Sequence, residues 1–374
     1  MMNFSLIFPA SVHFGYNSLE KLSSVELKGN KCLIVSGKNS MKSSGHIDRV
    51  ISILKKRKIE TVCFNEVEPE VSVDTVNNAV YVAKKNNAEI IIGLGGGSAI
   101  DCAKAVAGIA AQKDINDARD YIDGKEQIKD EPLFFIAIPS TAGTGSEVTK
   151  NAVLFYPEKN NKLSLRSEKL VPKIVILDPD LTLTMSKEIT AYSGMDALSH
   201  AVESFFSKGA NYYTKNLSTM AINLIFEHLP VAYNDGKNKE ARYFMLFASF
   251  VAGLSFANAG LGAVHGIGHT VGAVCKIPHG LVNAVLLPYV LIFNTKFCPE
   301  KLKELEEETF KDFIKKLLQL NKKLKIPEKL SDVYHDIKNK LENILSNISF
   351  SGSMAYNPVK ITIKEVEYIL KESI

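Results

Sequence analysis

Apolar positions follow one rhythm in the first half of the chain and another in the second. Short, nearly continuous apolar runs at 31–36, 61–64, 88–93, 133–138 and 174–177 have the length and β-branched content of strands. Helical spacing separates them. In 47–56, Ile47, Val50, Ile51 and Leu54 share one face, and 73–86 and 99–111 also read as helices. Strands alternating with helices of this length predict βαβ units, hence a mostly parallel sheet with helices on both faces. Past Asp178-Pro179-Asp180-Leu181-Thr182 the strand signal fades. Helical periods then dominate at 189–206, 214–229, 240–256 and in a Lys/Glu-rich stretch at 299–345, with Gly236 as a turn and Pro327 as a breaker. The expected organisation is an α/β domain over residues 1–184 and an all-helical domain over 185–374.

A length of 374 residues is long for one core and agrees with two domains. The net charge of +4 is small, and Lys and Arg are interspersed with Asp and Glu, so no nucleic-acid footprint is present. The cysteines (Cys32, Cys63, Cys102, Cys275 and Cys298) form no CxxC pair, and an odd, dispersed set suits a reducing compartment. The N-terminus lacks the basic segment and long apolar run of a secretory signal. The most apolar window, 284–293, contains Pro288 and is about half of the ~20 residues needed to span a bilayer. A cytoplasmic protein without nucleic-acid or membrane partners is expected.

Gly93-Leu94-Gly95-Gly96-Gly97-Ser98 joins the apolar run 88–92 to the helical segment 99–111. Consecutive glycines let a backbone approach a phosphate, and the helix N-terminus behind them supplies N–H groups and a positive dipole end. A tight strand-to-helix turn is the plainer reading, but strand before and helix after are the context that pyrophosphate binding needs. A second polar turn, Pro139-Ser140-Thr141-Ala142-Gly143-Thr144-Gly145-Ser146-Glu147, follows the run 133–138. It suits phosphate, ribose or nicotinamide contacts, and equally an ordinary loop. Both turns fall at carboxyl ends of expected parallel strands, where open α/β sheets bind ligands. Gly95, Gly96, Gly97, Ser98, Ser140, Thr141, Thr144 and Ser146 are therefore candidate cofactor contacts in a Rossmann-like domain.

Metal chemistry is legible in the second half. Asp196 and His200 lie four apart in Ser193-Gly194-Met195-Asp196-Ala197-Leu198-Ser199-His200, at the start of an expected helix, so they project from one face. His265 and His269 form a second such pair, and His279 follows in the turn-like Ile277-Pro278-His279-Gly280. Burying an Asp and four His in apolar surroundings is costly unless something pairs with them. One carboxylate with imidazoles suits Fe(II), Zn(II), Co(II) or Ni(II) better than Mg(II) or Ca(II). Three histidines suffice, and the fourth would then stand beside the ligands or near the substrate.

With these residues in place, the chain resembles the iron-containing alcohol dehydrogenase family, often called group III. The likeness runs from Phe14-Gly15 to Asn357-Pro358. It is carried by Gly95-Gly96-Gly97-Ser98 with Asp101 and Lys104, by Thr141 through Glu147, and by Gly194-Met195-Asp196-Ala197 with His200. The densest match spans Ala252-Gly253, Asn258, Gly262, His265, His269, Pro278-His279-Gly280 and Asn283. The resemblance implies Asp196, His200, His265 and His279 as ligands of Fe(II) or Zn(II), and His269 as a residue close to nicotinamide and substrate. It implies a dinucleotide-binding α/β domain, a helical metal-binding domain and an active site in the cleft between them. It also implies a homodimer, with the strand-like segment 3–8 pairing across it. Asp101, Lys162 and Leu181 join the candidate cofactor contacts. Where family members often carry Asn-Pro after the second strand, this chain has Glu70-Val71, and the helical tail from Pro299 matches poorly.

The expected activity is metal-dependent, reversible hydride transfer between a primary or small alcohol and NAD(P), with His269 relaying the proton or serving structure alone. Rivals are a glycerol or polyol dehydrogenase, the zinc-dependent dehydroquinate synthase, and a nucleotide- or metal-binding sensor without catalysis. NADP(H) is favoured over NAD(H). NAD-dependent members of the family place an Asp directly after the first strand of the nucleotide domain, whereas here the strand runs into Gly37-Lys38-Asn39-Ser40. Gly37 removes the carboxylate, Lys38 adds positive charge, and Ser40 can hydrogen-bond a 2′-phosphate. A plain glycine turn accepting both cofactors is the alternative.

Overall fold

The computed structural model describes residues 4–113, 117–298 and 310–374. They fall into two compact units, 7–185 and 186–374, and residues 4–6 go with the second rather than with the α/β unit. In chain order the first holds β1 (Ser11–Phe14), β2 (Lys31–Gly37), α1 (Ser40–Ser43), α2 (His46–Lys56), β3 (Glu60–Val67), α3 (Val73–Lys85) and β4 (Ile90–Gly95). Then come α4 (Gly97–Ala110), α5 (Ala118–Ile122), β5 (Phe134–Pro139), β6 (Asn151–Tyr156), β7 (Asn161–Arg166) and β8 (Ile174–Leu177).

Six strands form one sheet in the order β1-β8-β5-β4-β2-β3, every pair parallel. Ile34, Ile90, Ile92, Ile136 and Ile138 pack with Ile47, Val50 and Leu54 of α2 in one buried cluster. This burial is why the strands read as apolar runs without alternation. The chain lays β3 on one side of β2 and then returns to the other side for β4, β5 and β8. Strand order thus reverses between β2 and β4. Their carboxyl ends flank the crevice where such sheets take ligands, and those ends carry Gly37 and the glycine turn. Two features escape the hydrophobic pattern: the four-residue edge strand β1, and the antiparallel hairpin β6–β7.

The second unit holds α6 (Lys187–Phe206), α7 (Tyr212–Asn234), α8 (Lys239–Ala259), α9 (Ala263–Cys275), α10 (His279–Thr295), α11 (Phe310–Lys323), α12 (Leu330–Val333), α13 (Ile337–Ser346) and α14 (Ile363–Ser373). No strand occurs among its described residues. Ser186 caps α6, its hydroxyl accepting from Ile189 N at 3.2 Å. Packed against α7, α8 and α10, α6 is buried continuously from Gly194 to Phe206. Of the Lys/Glu-rich stretch, 299–309 lies outside the described residues, and its continuation forms α11 to α13. Residue 3 of the segment expected to be strand-like also lies outside, and 4–9 carries no regular secondary structure. Among the described residues no single helix is long and apolar enough to cross a membrane.

Candidate functional site

Three helices of the second unit bring the expected metal ligands together. Asp196 and His200 stand one turn apart on α6, in its middle rather than at its start. His265 lies in the first turn of α9. His279 opens α10, with Pro278 as the non-helical residue before it, so a helix N-terminus replaces the expected turn. α10 can start there because Gly280 backs onto α6: a Cβ at this position would lie 2.2 Å from Tyr192 O.

The donor atoms converge. Asp196 Oδ1 lies 3.5 Å from His265 Nε2 and 3.7 Å from His279 Nε2, and one ligand atom from each residue falls within 4.8 Å of the others. A tetrahedral ion with bonds of about 2.1 Å separates its donors by roughly 3.4 Å, so the spacing fits. Asn283 Nδ2 reaches Asp196 Oδ1 at 2.9 Å, His279 Nε2 at 3.0 Å and His265 Nε2 at 3.1 Å. An amide has two hydrogens for three such atoms, and a cation suits the cluster better than hydrogen bonds alone. His200 stands alongside this triad. Its Nδ1 is 4.0 Å from Asp196 Oδ2, and its ring stacks between Phe256 and His265 at centroid distances of 4.3 and 4.4 Å. His269, one turn beyond His265, is half-buried and stacks on His279 at 4.9 Å, outside the triad.

A further candidate residue, Glu203, carries no signal in the sequence. The Glu203 carboxylate lies 2.5 Å from His265 Nδ1 and accepts from Val264 N at 2.6 Å and His265 N at 3.4 Å. Glu203 thus orients an imidazole and caps α9 at once. Burial works to raise the Asp196 carboxyl, but facing His200, His279 and His265 hold it well below the usual carboxylate range. Burial works against charge on His265 too, yet Glu203 and Asp196 raise it to about 9.

The nucleotide candidates lie in the first unit. Gly95 has φ +146°, a conformation that favours glycine, and Gly97 is hemmed in by the second turn. A Cβ on Gly97 would lie 2.6 Å from Thr144 Cγ2. Ser140 N donates to Gly95 O at 2.8 Å, so the two turns are joined. Gly96, Gly97, Ser98, Thr141 and Thr144 all keep partial exposure there. Ala99 N and Ile100 N donate to Gly96 O at 3.0 and 3.1 Å, so the amides of Gly97 and Ser98, which precede the first intrahelical bonds, form the candidate anion-binding end of α4. At the end of β2, Lys38 and Ser40 are exposed, and a Cβ on Gly37 would meet only Val67 O at 3.5 Å.

Four of the expected contacts are engaged with or buried in the protein itself. Asp101 and Ser146 face inward. The Ser146 hydroxyl donates to Asp101 Oδ1, and Val153 N donates to Asp101 Oδ2 at 3.0 Å. Fully buried Lys104 donates to Ser146 O, Thr149 Oγ1 and Asn151 O, each at 2.7 Å. This network fastens the second turn and β6 to α4. Burial lowers Lys104 to about 8 against the pull of Asp101 and Glu147, and burial raises Asp101. The Leu181 side chain is fully buried in the core cluster. Lys162 is ion-paired with Glu70 at 2.6 Å.

A family model for iron-containing alcohol dehydrogenases matches residues 9–179, and one for the C-terminal part of the Fe-containing alcohol dehydrogenase family matches 190–374. The NADPH-dependent butanol dehydrogenase of Clostridium saccharobutylicum is 35% identical, with 99% of this chain and 97% of the relative covered. The NAD-dependent methanol dehydrogenase of Bacillus methanolicus is 36% identical over 79% of this chain and 76% of the relative. The solved alcohol dehydrogenase from Oenococcus oeni has a TM-score of 0.91 at 30% identity, covering 100% of both chains.

Proposed function

This chain belongs to the iron-containing alcohol dehydrogenase family and is an NAD(P)-linked alcohol dehydrogenase, and we propose that it interconverts a small primary alcohol and its aldehyde, with NADP(H) preferred. The observation that carries this reading is the convergence of Asp196, His265 and His279 on one point, with His200 beside them. We assign these four residues to one Fe(II) or Zn(II) ion. When bound, the ion and the nicotinamide supply Lewis acidity toward the substrate oxygen and a two-electron hydride acceptor.

The protein's own groups do the positioning. Asp196 keeps its negative charge although buried, so the site arrives with an anionic ligand. Asn283 and Glu203 fix the orientation of the donors. His269, the half-buried imidazole stacked on His279, takes the hydroxyl proton toward solvent. In the first unit, the turns at 95–98 and 140–144 hold the pyrophosphate and nicotinamide ribose. Gly37, Lys38 and Ser40 receive the adenosine 2′-phosphate, because no carboxylate stands there to repel it. A small alcohol is supported by the butanol dehydrogenase and the methanol dehydrogenase among the relatives. A cytoplasmic site of action is supported by five cysteines that are all free.

An assay of nicotinamide absorbance with ethanol, butanol, 1,2-propanediol and glycerol, after Fe(II) or Zn(II) loading, tests this reading. Butanol or ethanol should turn over with a higher kcat/KM for NADP(H) than for NAD(H), and Gly37→Asp should reverse that preference. Turnover of glycerol alone, or metal-independent activity, would overturn the substrate or metal assignment. A clear NAD(H) preference in the unmodified enzyme would overturn the cofactor assignment.

A further inference from the structure

The loop after β3 carries a charge pair that the reaction scheme does not use. Glu70 adopts φ 60°, in the left-handed region that non-glycine residues seldom occupy. Its N–H donates to Ser98 Oγ at 3.0 Å. Ser98 belongs to the first turn of α4, so the Glu70 backbone is held one hydrogen bond from the glycine turn. The Glu70 carboxylate takes the Lys162 ammonium of β7 at 2.6 Å. Only 6% of the Lys162 side chain is exposed, against 31% for Glu70. An ammonium buried to that degree needs a partner, and Glu70 supplies it.

Two electrostatic consequences follow. The cation that β7 brings to the neighbourhood of the glycine turn is neutralised within the protein. The partner that neutralises it is the more exposed of the two, and it is negative.

We propose that Glu70 sets the affinity of this chain for its dinucleotide, by occupying Lys162 and opposing the negative charge of the pyrophosphate. This role rests on the glycine turn taking the pyrophosphate, as proposed above. It is independent of the 2′-phosphate, because Glu70 acts at α4 and the 2′-phosphate discrimination at Gly37 acts after β2. Glu70 therefore lowers affinity for NAD(H) and NADP(H) by the same factor. It is a brake on cofactor binding rather than a selector between cofactors.

The test is a charge cycle read by dissociation constants for NADH and NADPH, measured by fluorescence on the metal-loaded full chain. The four proteins are the parent, Glu70→Gln, Lys162→Met and the double variant, each checked for parent-like circular dichroism. The pair is neutral in the parent, positive after Glu70→Gln, negative after Lys162→Met and absent in the double variant. Glu70→Gln should tighten both cofactors by about three- to tenfold, the scale of one partly screened charge at short range. Lys162→Met should weaken both, and the double variant should return to within about twofold of the parent. Unchanged or weaker binding in Glu70→Gln overturns the proposal. A double variant as weak as Lys162→Met also overturns it, because Lys162 would then contact the cofactor directly. If Lys162→Met does not fold, the direction of change in Glu70→Gln decides alone. A parent that binds neither cofactor refutes the nucleotide reading itself, and the role of Glu70 with it.

Discussion

At the residue scale, Glu203 shows how a single side chain decides which nitrogen a candidate ligand presents. It stands one turn beyond His200 and two beyond Asp196 on α6. With its carboxylate 2.5 Å from His265 Nδ1, that nitrogen keeps its hydrogen and Nε2 is left to face Asp196 and His279. Glu203→Gln should separate orientation from helix capping. Its amide oxygen can still accept from Val264 N, but its NH2 must donate to Nδ1, which moves the ring hydrogen to Nε2. Metal affinity, measured by competition with a chelator, should fall by on the order of 10- to 100-fold while the metal-free protein keeps parent-like circular dichroism. Parent-like affinity would remove Glu203 from this role. The sequence disclosed Asp196 and His200 because i, i+4 spacing is a local signal. It did not disclose Glu203, whose partner is 62 positions away and whose residue type on a helix is most often solvated.

At the element scale, what was legible depended on whether burial produced a period. The runs at 31–36 and 88–93 are buried on both faces and gave continuous apolar strings, so β2 and β4 were readable. In β6, burial alternates, but the less buried positions are held by Val153 and Phe155, which hides the alternation. The partner strand β7 reads Asn161-Lys162-Leu163-Ser164-Leu165-Arg166, too short to outweigh that silence. The same hairpin also engages Asp101 and Ser146. Asp101 meets Lys104 one turn on along α4, but its bonds to Ser146 and Val153, and that of Lys104 to Ser146, span more than 40 positions, and no local motif encodes them. That buried network also carries a pH prediction. Burial raises the Glu147 carboxyl from 4.5 to about 7, against the attraction of Lys104. The folded chain therefore binds an extra proton between those values, and stability falls as pH rises through that window. Glu147→Gln has no such proton to lose. Urea midpoints at pH 5 and pH 7.5 should show the variant gaining on the parent at the higher pH. An equal difference at both values would mean that Glu147 is ionised throughout.

At the scale of the whole molecule, the two compact units each carry the proposed contacts of one ligand, and this makes the two binding events separable by stability. A ligand that binds only the folded state stabilises it by about 2.7 kcal/mol at a hundredfold excess over its dissociation constant. For a unit of this size that is a rise in melting temperature of roughly 5–10 °C. The proposed metal donors belong to the unit 186–374, and the proposed glycine-turn contacts belong to the unit 7–185. His279→Ala removes one of three converging donors and leaves the first unit untouched. It should abolish the rise produced by Zn(II) and keep the rise produced by NADPH. Gly97→Val does the converse, because its side chain would collide with Thr144, whose Cγ2 lies 2.6 Å from a Cβ at that position. It should lose the NADPH response and keep the Zn(II) response. Calorimetric scans of the two variants and the parent, with each ligand alone, read both halves of this pattern. Loss of the Zn(II) response in Gly97→Val would show that metal binding depends on the glycine turn. Retention of the full Zn(II) response in His279→Ala would move the metal away from Asp196 and His265.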